Sequence, residues 1–141
     1  MDVPLLRLRD SAREPTYATP GSNGFDLCTA EPAEIAPGEI ALVGTGLVVA
    51  TPPGWCLLIC LRSSTPRKFR VIQPHAVGII DEDYSGPADE LRLQLLNFTA
   101  EPTTIPAGSR IAQGVFVRAG RAHWCPHEPP QNSRGGFGST G

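Results

Sequence analysis

No two cysteines in this chain are spaced as C-x-x-C, and that absence removes the commonest zinc and dithiol frameworks. Cys56 and Cys60 are separated by three residues inside one apolar run, while Cys28 and Cys125 stand alone. His75, His123 and His127 have no zinc-finger spacing. Buried, reduced thiols are therefore expected, and with them a reducing compartment. No apolar run is long enough to span a bilayer. Asp2, Arg7 and Arg9 surround only a very short apolar segment, which does not read as a signal peptide. The expectation is a soluble intracellular protein, of cytoplasm or nucleus, with no membrane partner. Net charge is only −2, so nothing marks a general nucleic-acid binder. Internal repeats and convincing amphipathic helices are also missing.

Glycine and proline are plentiful instead. Fifteen of each are scattered along 141 residues, which suits many short strands and tight turns. A chain of this length makes one domain with a real core. The predicted fold is all-β, a distorted jelly roll or β-barrel, with an extended C-terminal arm. Residues 1–117 would form the core and residues 118–141 the arm of that single domain.

The chain is organised around Val77-Gly78-Ile79-Ile80-Asp81-Glu82-Asp83-Tyr84-Ser85-Gly86. An apolar strand pattern runs into an acidic cluster, and Leu91 to Leu95 then alternates like a second strand. The pattern predicts a β-hairpin with carboxylates at its mouth. Alternation puts Asp81 and Asp83 on one side and Glu82 on the other. A carboxylate held at a rigid strand end can act as a general base. The plainer alternative is a solvated acidic turn.

Other strand ends carry polar residues of their own. Gly21 to Cys28 joins a glycine-flanked turn to a strand, where Asp26 reads alone as a turn-capping carboxylate. Trp55 to Leu61 is an apolar strand that ends in Arg62-Ser63-Ser64-Thr65-Pro66-Arg67-Lys68. Two hydroxyls beside an arginine can cradle a phosphate, or a Ser can cap a short helix. Ile111 to Val117 predicts a further strand, with Gln113 either bonding locally or facing a polar site. The chain closes on Arg134-Gly135-Gly136-Phe137-Gly138-Ser139-Thr140-Gly141. That is a disordered tail or a nucleotide clamp, its ring stacking on a base for ~1–3 kcal/mol.

Taken in order, these stretches resemble the five motifs of the trimeric deoxyuridine triphosphate nucleotidohydrolases (dUTPases). Gly24-Phe25-Asp26-Leu27 is similar to the first motif and Arg62-Ser63-Ser64 to the second. Gly78 to Gly86 is similar to the third, Gly108-Ser109-Arg110-Ile111-Ala112-Gln113 to the fourth, and Arg134 to Gly141 to the fifth. The likeness covers essentially the whole chain.

The resemblance implies a jelly-roll homotrimer that hydrolyses dUTP to dUMP and pyrophosphate, limiting uracil in DNA. Each active site would draw on three subunits, with an exchanged arm. Asp81 would deprotonate the water attacking the α-phosphorus. Mg²⁺ would be held mainly by triphosphate oxygens and waters, with Asp26 touching it through water. Arg62, Ser63, Ser64 and Gln113 would bind the phosphate chain, and Arg134 the γ-phosphate. Phe137 would cover uracil, and Gly138 and Ser139 would donate to phosphate. Tyr84 would pack against the deoxyribose, and the backbone of Ile79, Ile80 and Arg92 would line the uracil hairpin.

The chain departs from the family pattern in three places. Pro87-Ala88-Asp89 is an apparent insertion between Gly86 and Glu90. Arg134 stands three residues before Phe137, where five is usual. Ser109 replaces an acidic residue, and Gly114 stands where a large apolar residue is usual. Two alternatives remain open: a non-catalytic nucleotide-binding or interaction module of the same fold, and a relative of dCTP deaminase.

Overall fold

The structure, a computed structural model, describes residues 1–132 and Gly135. Twelve strands and one short helix follow one another in the described residues. They are β1 (Leu5–Arg7), β2 (Thr16–Tyr17), β3 (Phe25–Cys28), β4 (Ala33–Ile35), β5 (Ile40–Gly44), β6 (Leu47–Val49) and β7 (Trp55–Leu61). After α1 (Thr65–Phe69) come β8 (Val71–Ile72), β9 (Gly78–Ile80), β10 (Arg92–Asn97), β11 (Thr103–Ile105) and β12 (Arg110–Arg118). The largest sheet has the order β2-β3-β12-β7-β9, and β5-β10-β8 forms a second. Two antiparallel pairs, β1-β6 and β4-β11, complete the layers. Strand pairing among the described residues closes no barrel, so the jelly-roll half of the expected fold is the one that applies.

Strand alternation explains which residues fill the core. On β7, Leu57 and Ile59 are buried, while Cys56, Leu58 and Cys60 are half-buried on the opposite face. On β10, Leu93 and Leu95 point inward beside Leu91. These side chains join Leu27, Ile35, Leu47, Ile105 and Ile111 in one apolar cluster. Burying a side chain of this size stabilises the fold by about 1.5–3 kcal/mol.

The expected central hairpin is not formed. β9 pairs antiparallel with β7 at the edge of the large sheet. β10 lies between β5 and β8 in the other sheet, with both edges taken. Alternation predicts which way a strand faces, not its partner. The segment between the two strands is also far longer than the two to five residues that favour hairpin closure. Arg92 therefore opposes Gly44 on β5 and does not line a hairpin with Ile79 and Ile80.

The Pro-Gly turn before β7 has a definite form. Trp55 N–H donates to Pro52 O at 3.1 Å, and Gly54 has φ +77. Pro53 followed by a residue at positive φ is the pattern of a type II turn, which favours glycine at the second position. β12, the longest strand, ends at Arg118, and residues 119–132 contain neither strand nor helix.

Candidate active site

The register of the large sheet builds one end of the site. Gln113 on β12 lies opposite Asp26 on β3 and Cys60 on β7, so the three share a face. Asp26 is only 6% exposed. Its two oxygens accept from Arg62 Nε at 3.0 Å and from an Arg110 terminal nitrogen at 3.1 Å. A buried carboxylate without such partners would be strongly unfavourable. The turn-cap reading of Asp26 therefore gives way to a bridge between two arginines.

A β-bulge puts Arg110 there. The β3–β12 register slips between Arg110 and Ala112, bringing Arg110 opposite Cys28. Cys28 shares the face of Asp26, two residues back, and the guanidinium reaches the carboxylate from that position. Bulges re-aim side chains in this way. Arg110 carried no assigned role in the sequence reading. The available signal was a carboxylate inside the apolar Phe25–Cys28 run, which requires a buried counter-charge.

Arg62 follows the last residue of β7, and its N–H donates to Ile111 O at 3.0 Å. Thr65 Oγ1 donates to the same carbonyl, so the turn out of β7 is fixed to β12. Ser64 occupies the N-cap position of α1 but makes no side-chain capping bond. The capping alternative fails, because helix entry is held by Thr65 and Pro66 instead. Ser63 and Ser64 are exposed and line an open recess of about 540 Å³ with Arg67 and Lys68.

Gln113 is half-buried, and among the described residues its side chain has no hydrogen-bond partner. The expected local bond is absent, although Asp26 lies directly opposite on β3. Gly24 leaves room for the Gln113 amide: a Cβ there would sit 3.2 Å from Gln113 Oε1. The first-motif glycine thus leaves the space that the fourth-motif glutamine side chain uses.

Asp81 lies at the other end of the same sheet. Ile80 opposes Leu57, so Asp81 flanks the start of β7, beside Cys56. Arg62 follows the far end of that strand. At about 3.3 Å per residue the two are separated by roughly 20 Å along the strand. Asp81 is exposed, and Tyr84 N–H donates to its carbonyl oxygen at 3.3 Å. Ile79 is 65% exposed on the outward face with Leu58 and Val115, while Ile80 is half-buried.

Tyr84 is held by its hydroxyl, which donates to Glu90 O at 3.0 Å. Glu90 itself is buried and was not anticipated. Its carboxylate accepts from Gly46 N–H at 2.7 Å, Arg9 at 3.0 Å and Arg92 Nε at 3.4 Å. The apparent insertion between Gly86 and Glu90 closes on itself. Gly86 N–H donates to Asp89 Oδ2 at 2.7 Å, and Asp89 N–H donates to Gly86 O at 3.0 Å.

The cysteines divide by environment. Cys28 is buried, and that burial pushes its thiol above the usual range, with nearby Arg13 pulling the other way. Cys56 and Cys60 are half-buried and Cys125 is exposed, so the expectation of buried thiols holds for Cys28, holds in part for Cys56 and Cys60, and fails for Cys125. His75 is exposed and exchanges a 3.1 Å hydrogen bond with Gln73. Arg134, Phe137, Gly138 and Ser139 lie outside the described residues.

Mg²⁺ can be tested against the surroundings of Asp26. Each of its oxygens accepts one arginine N–H, and a carboxylate offers about four acceptor positions. Room remains to accept from a metal-bound water. Direct ligation beside two guanidinium groups is electrostatically poor. The donor set therefore fits an outer-sphere role alone.

Fold and site together define an all-β protein with a phosphate-suited rim of arginine, hydroxyls and amide, and a distant strand-end carboxylate. The family model for dUTPase matches residues 10–141, and the chain belongs to the dUTPase family. It is 42% identical to the deoxyuridine 5'-triphosphate nucleotidohydrolase of Wolinella succinogenes, over 100% of this chain and 95% of that protein. The Staphylococcus bacteriophage 80alpha dUTPase, solved with dUPNHPP, superposes with TM-score 0.87 at 23% identity, covering 99% of this chain and 98% of that one. A mutant dUTPase from phage phi11 of S. aureus, solved with a structural Mg(II) ion, superposes with TM-score 0.82 at 22% identity, covering 92% and 98%.

Proposed function

We propose that this chain is a dUTP diphosphatase, hydrolysing dUTP to dUMP and pyrophosphate and so limiting uracil in DNA. The observation that carries the reading is the Asp26 bridge. It fixes Arg62 at the head of the Arg62-Ser63-Ser64 run and lies opposite Gln113, in a chain of the dUTPase family.

The same geometry supports a shared site. Asp81 and Arg62 stand at opposite ends of β7, roughly 20 Å apart along the strand. A single phosphate chain cannot engage both within one subunit. A closed ring of three copies solves this, because the Asp81 end of one copy can approach the Arg62 end of the next. The arm, residues 118–141, then reaches a further site, where Arg134 meets the γ-phosphate and Phe137 covers the base.

Each group has a chemical task. Asp81 takes a proton from the water that attacks the α-phosphorus, and position matters more than an unusual basicity. Arg62, the hydroxyls of Ser63 and Ser64, and the free amide of Gln113 receive the phosphate oxygens. They offset charge as it moves toward the leaving pyrophosphate. Gly138 and Ser139 add donors from the arm. Asp26 positions Arg62 and accepts from a water of the hydrated Mg²⁺. When bound, Mg²⁺ would neutralise the triphosphate, with Asp26 reaching it only through water.

Specificity rests on the Asp81 end. Tyr84, anchored to Glu90, presents its ring to the deoxyribose where a 2′-OH would clash. The exposed edge of β9 offers the backbone of Ile79 and Ile80 to uracil. Buried donors and acceptors that match uracil are left unpaired by cytosine, a large penalty. Arg92 acts in this reading through Glu90, whose carboxylate it pairs, and not as a lining residue.

Pyrophosphate release from dUTP, dCTP, dTTP and UTP, with and without Mg²⁺, tests the proposal. Rapid Mg²⁺-dependent release from dUTP alone is expected. Binding of dUTP without release would favour the non-catalytic module, and a deaminated product from dCTP would favour the deaminase relative.

A further inference from the structure

Asp81 is set at the end of an edge strand with little to hold it. Among the described residues its carboxylate has no hydrogen bond or ion pair, and its backbone carbonyl accepts a 3.3 Å hydrogen bond from Tyr84 N–H. The next residue is tied down. Glu82 Oε1 accepts from Gly54 N–H at 2.8 Å. Gly54 is the positive-φ residue of the turn that starts β7. The carbonyl of Gly54 in turn accepts from Ala119 N–H at 3.0 Å, at the root of the arm. Glu82 Oε2 also stands 4.0 Å from a terminal nitrogen of Arg121. Beside them the Arg118 guanidinium lies over the Trp55 ring at 4.6 Å.

We propose that Glu82 is a positioning residue for Asp81, clamping the start of the acidic loop to the Pro53-Gly54 turn. The inference rests on the reading of Asp81 as general base. The physics is local. β9 ends at Ile80, and the chain turns at Asp81–Tyr84. The Glu82 carboxylate accepts from Gly54 N–H, a donor the Asp81 carboxylate does not share, so the two do not compete. A charge-assisted bond to a backbone N–H is shorter and stronger than a neutral one. Its acceptor is attached one peptide from the base, so it fixes where the Asp81 side chain starts. The Gly54 peptide is rigid on both sides, through its own turn and through Ala119. Arg121 contributes little, because its side chain is 90% exposed and the pair is at the limit of contact. The bond to Gly54, not the charge pair, is the working contact.

The test compares Glu82→Ala, Glu82→Gln and Asp81→Asn in steady-state dUTP hydrolysis. Glu82→Ala is expected to lower kcat roughly ten- to a hundredfold, the scale of a small misplacement of a catalytic group, with KM nearly unchanged. Glu82→Gln keeps an oxygen acceptor for Gly54 N–H and is expected to recover most of that loss. Asp81→Asn is expected to abolish turnover while dUTP still binds. Normal kcat in Glu82→Ala beside an inactive Asp81→Asn overturns the positioning role alone. Equal losses in both Glu82 variants overturn it too, because charge would then matter and not the bond. An active Asp81→Asn removes the base reading and the clamp together.

Discussion

The Tyr84 hydroxyl donates to the Glu90 carbonyl oxygen at 3.0 Å, spanning the residues that lengthen this loop. The extra turn closes on itself through Asp89 and Gly86. Tyr84→Phe removes one net hydrogen bond, of about 1 kcal/mol, and keeps the aromatic wall. Its discrimination between dUTP and UTP should fall less than about tenfold. Tyr84→Ala removes the wall and should relax that discrimination much further. Comparing kcat/KM for the two nucleotides checks both. Equal behaviour of the two variants would show that the ring does not read the sugar.

Gly114 and Phe25 form a matched pair. A Cβ at Gly114 would collide with Phe25 Cζ, so the Phe25 ring already occupies the space a side chain would need. The unusual glycine of the fourth motif is thereby explained by the first. Gly114→Leu should destabilise the fold by about 1–3 kcal/mol, the usual cost of overpacking. Adding Phe25→Ala should recover part of that loss. Urea unfolding midpoints decide the matter, and simple additivity of the two losses would contradict the pairing.

Asp26 holds two arginines, so Asp26→Asn should cost stability as well as activity. Breaking a buried pair costs about 3–5 kcal/mol. Arg62 and Arg110 are partly exposed and can turn to water, which reduces the expected loss to about 2 kcal/mol. KM for dUTP should rise along with the fall in kcat, because Arg62 loses its anchor. An unchanged urea midpoint would mean that the arginines do not depend on Asp26.

Thiol chemistry should follow environment. Cys125 is exposed and Cys28 is buried with its thiol pushed up. The thiolate is the reactive form, and a raised thiol supplies less of it at any given pH below its titration. Iodoacetamide at mildly alkaline pH should label Cys125 first and Cys28 only after unfolding. Peptide mass mapping reads the order, and early labelling of Cys28 would contradict its burial.

The sequence made the ends of strands legible and their partners illegible. Residues 55–61 and 111–117 read correctly as strands because apolar content and alternation are local. The Asp26–Arg110 contact spans 84 positions and depends on a bulge, which no local pattern marks. The central hairpin failed for the same reason: Ile80 and Arg92 look like neighbours in sequence, yet their ladders are chosen by β7 and β5. Ser63, Ser64, Gln113 and Asp81 become candidates only through the order of the motifs, because no local pattern singles them out. Glu90 was passed over because a carboxylate next to a turn looks solvated until its three donors are seen.

Subunit mixing gives the sharpest view of the shared site. Asp81 and Arg62 lie at opposite ends of one strand, so each active site would take them from different copies. The Asp81→Asn protein and the Arg62→Gln protein should each be nearly inactive. Glutamine at 62 retains an N–H donor toward Asp26 and limits damage to the fold. Unfolded together in equal amounts and refolded, the two variants would assemble at random. A site is intact when its Arg62 comes from one variant and its Asp81 from the other, which gives about a quarter of wild-type sites in a closed heterologous ring. Activity near that level is the expected result, read as pyrophosphate release per subunit. If both groups came from the same copy, no mixture could contain an intact site, and the refolded sample would stay inactive.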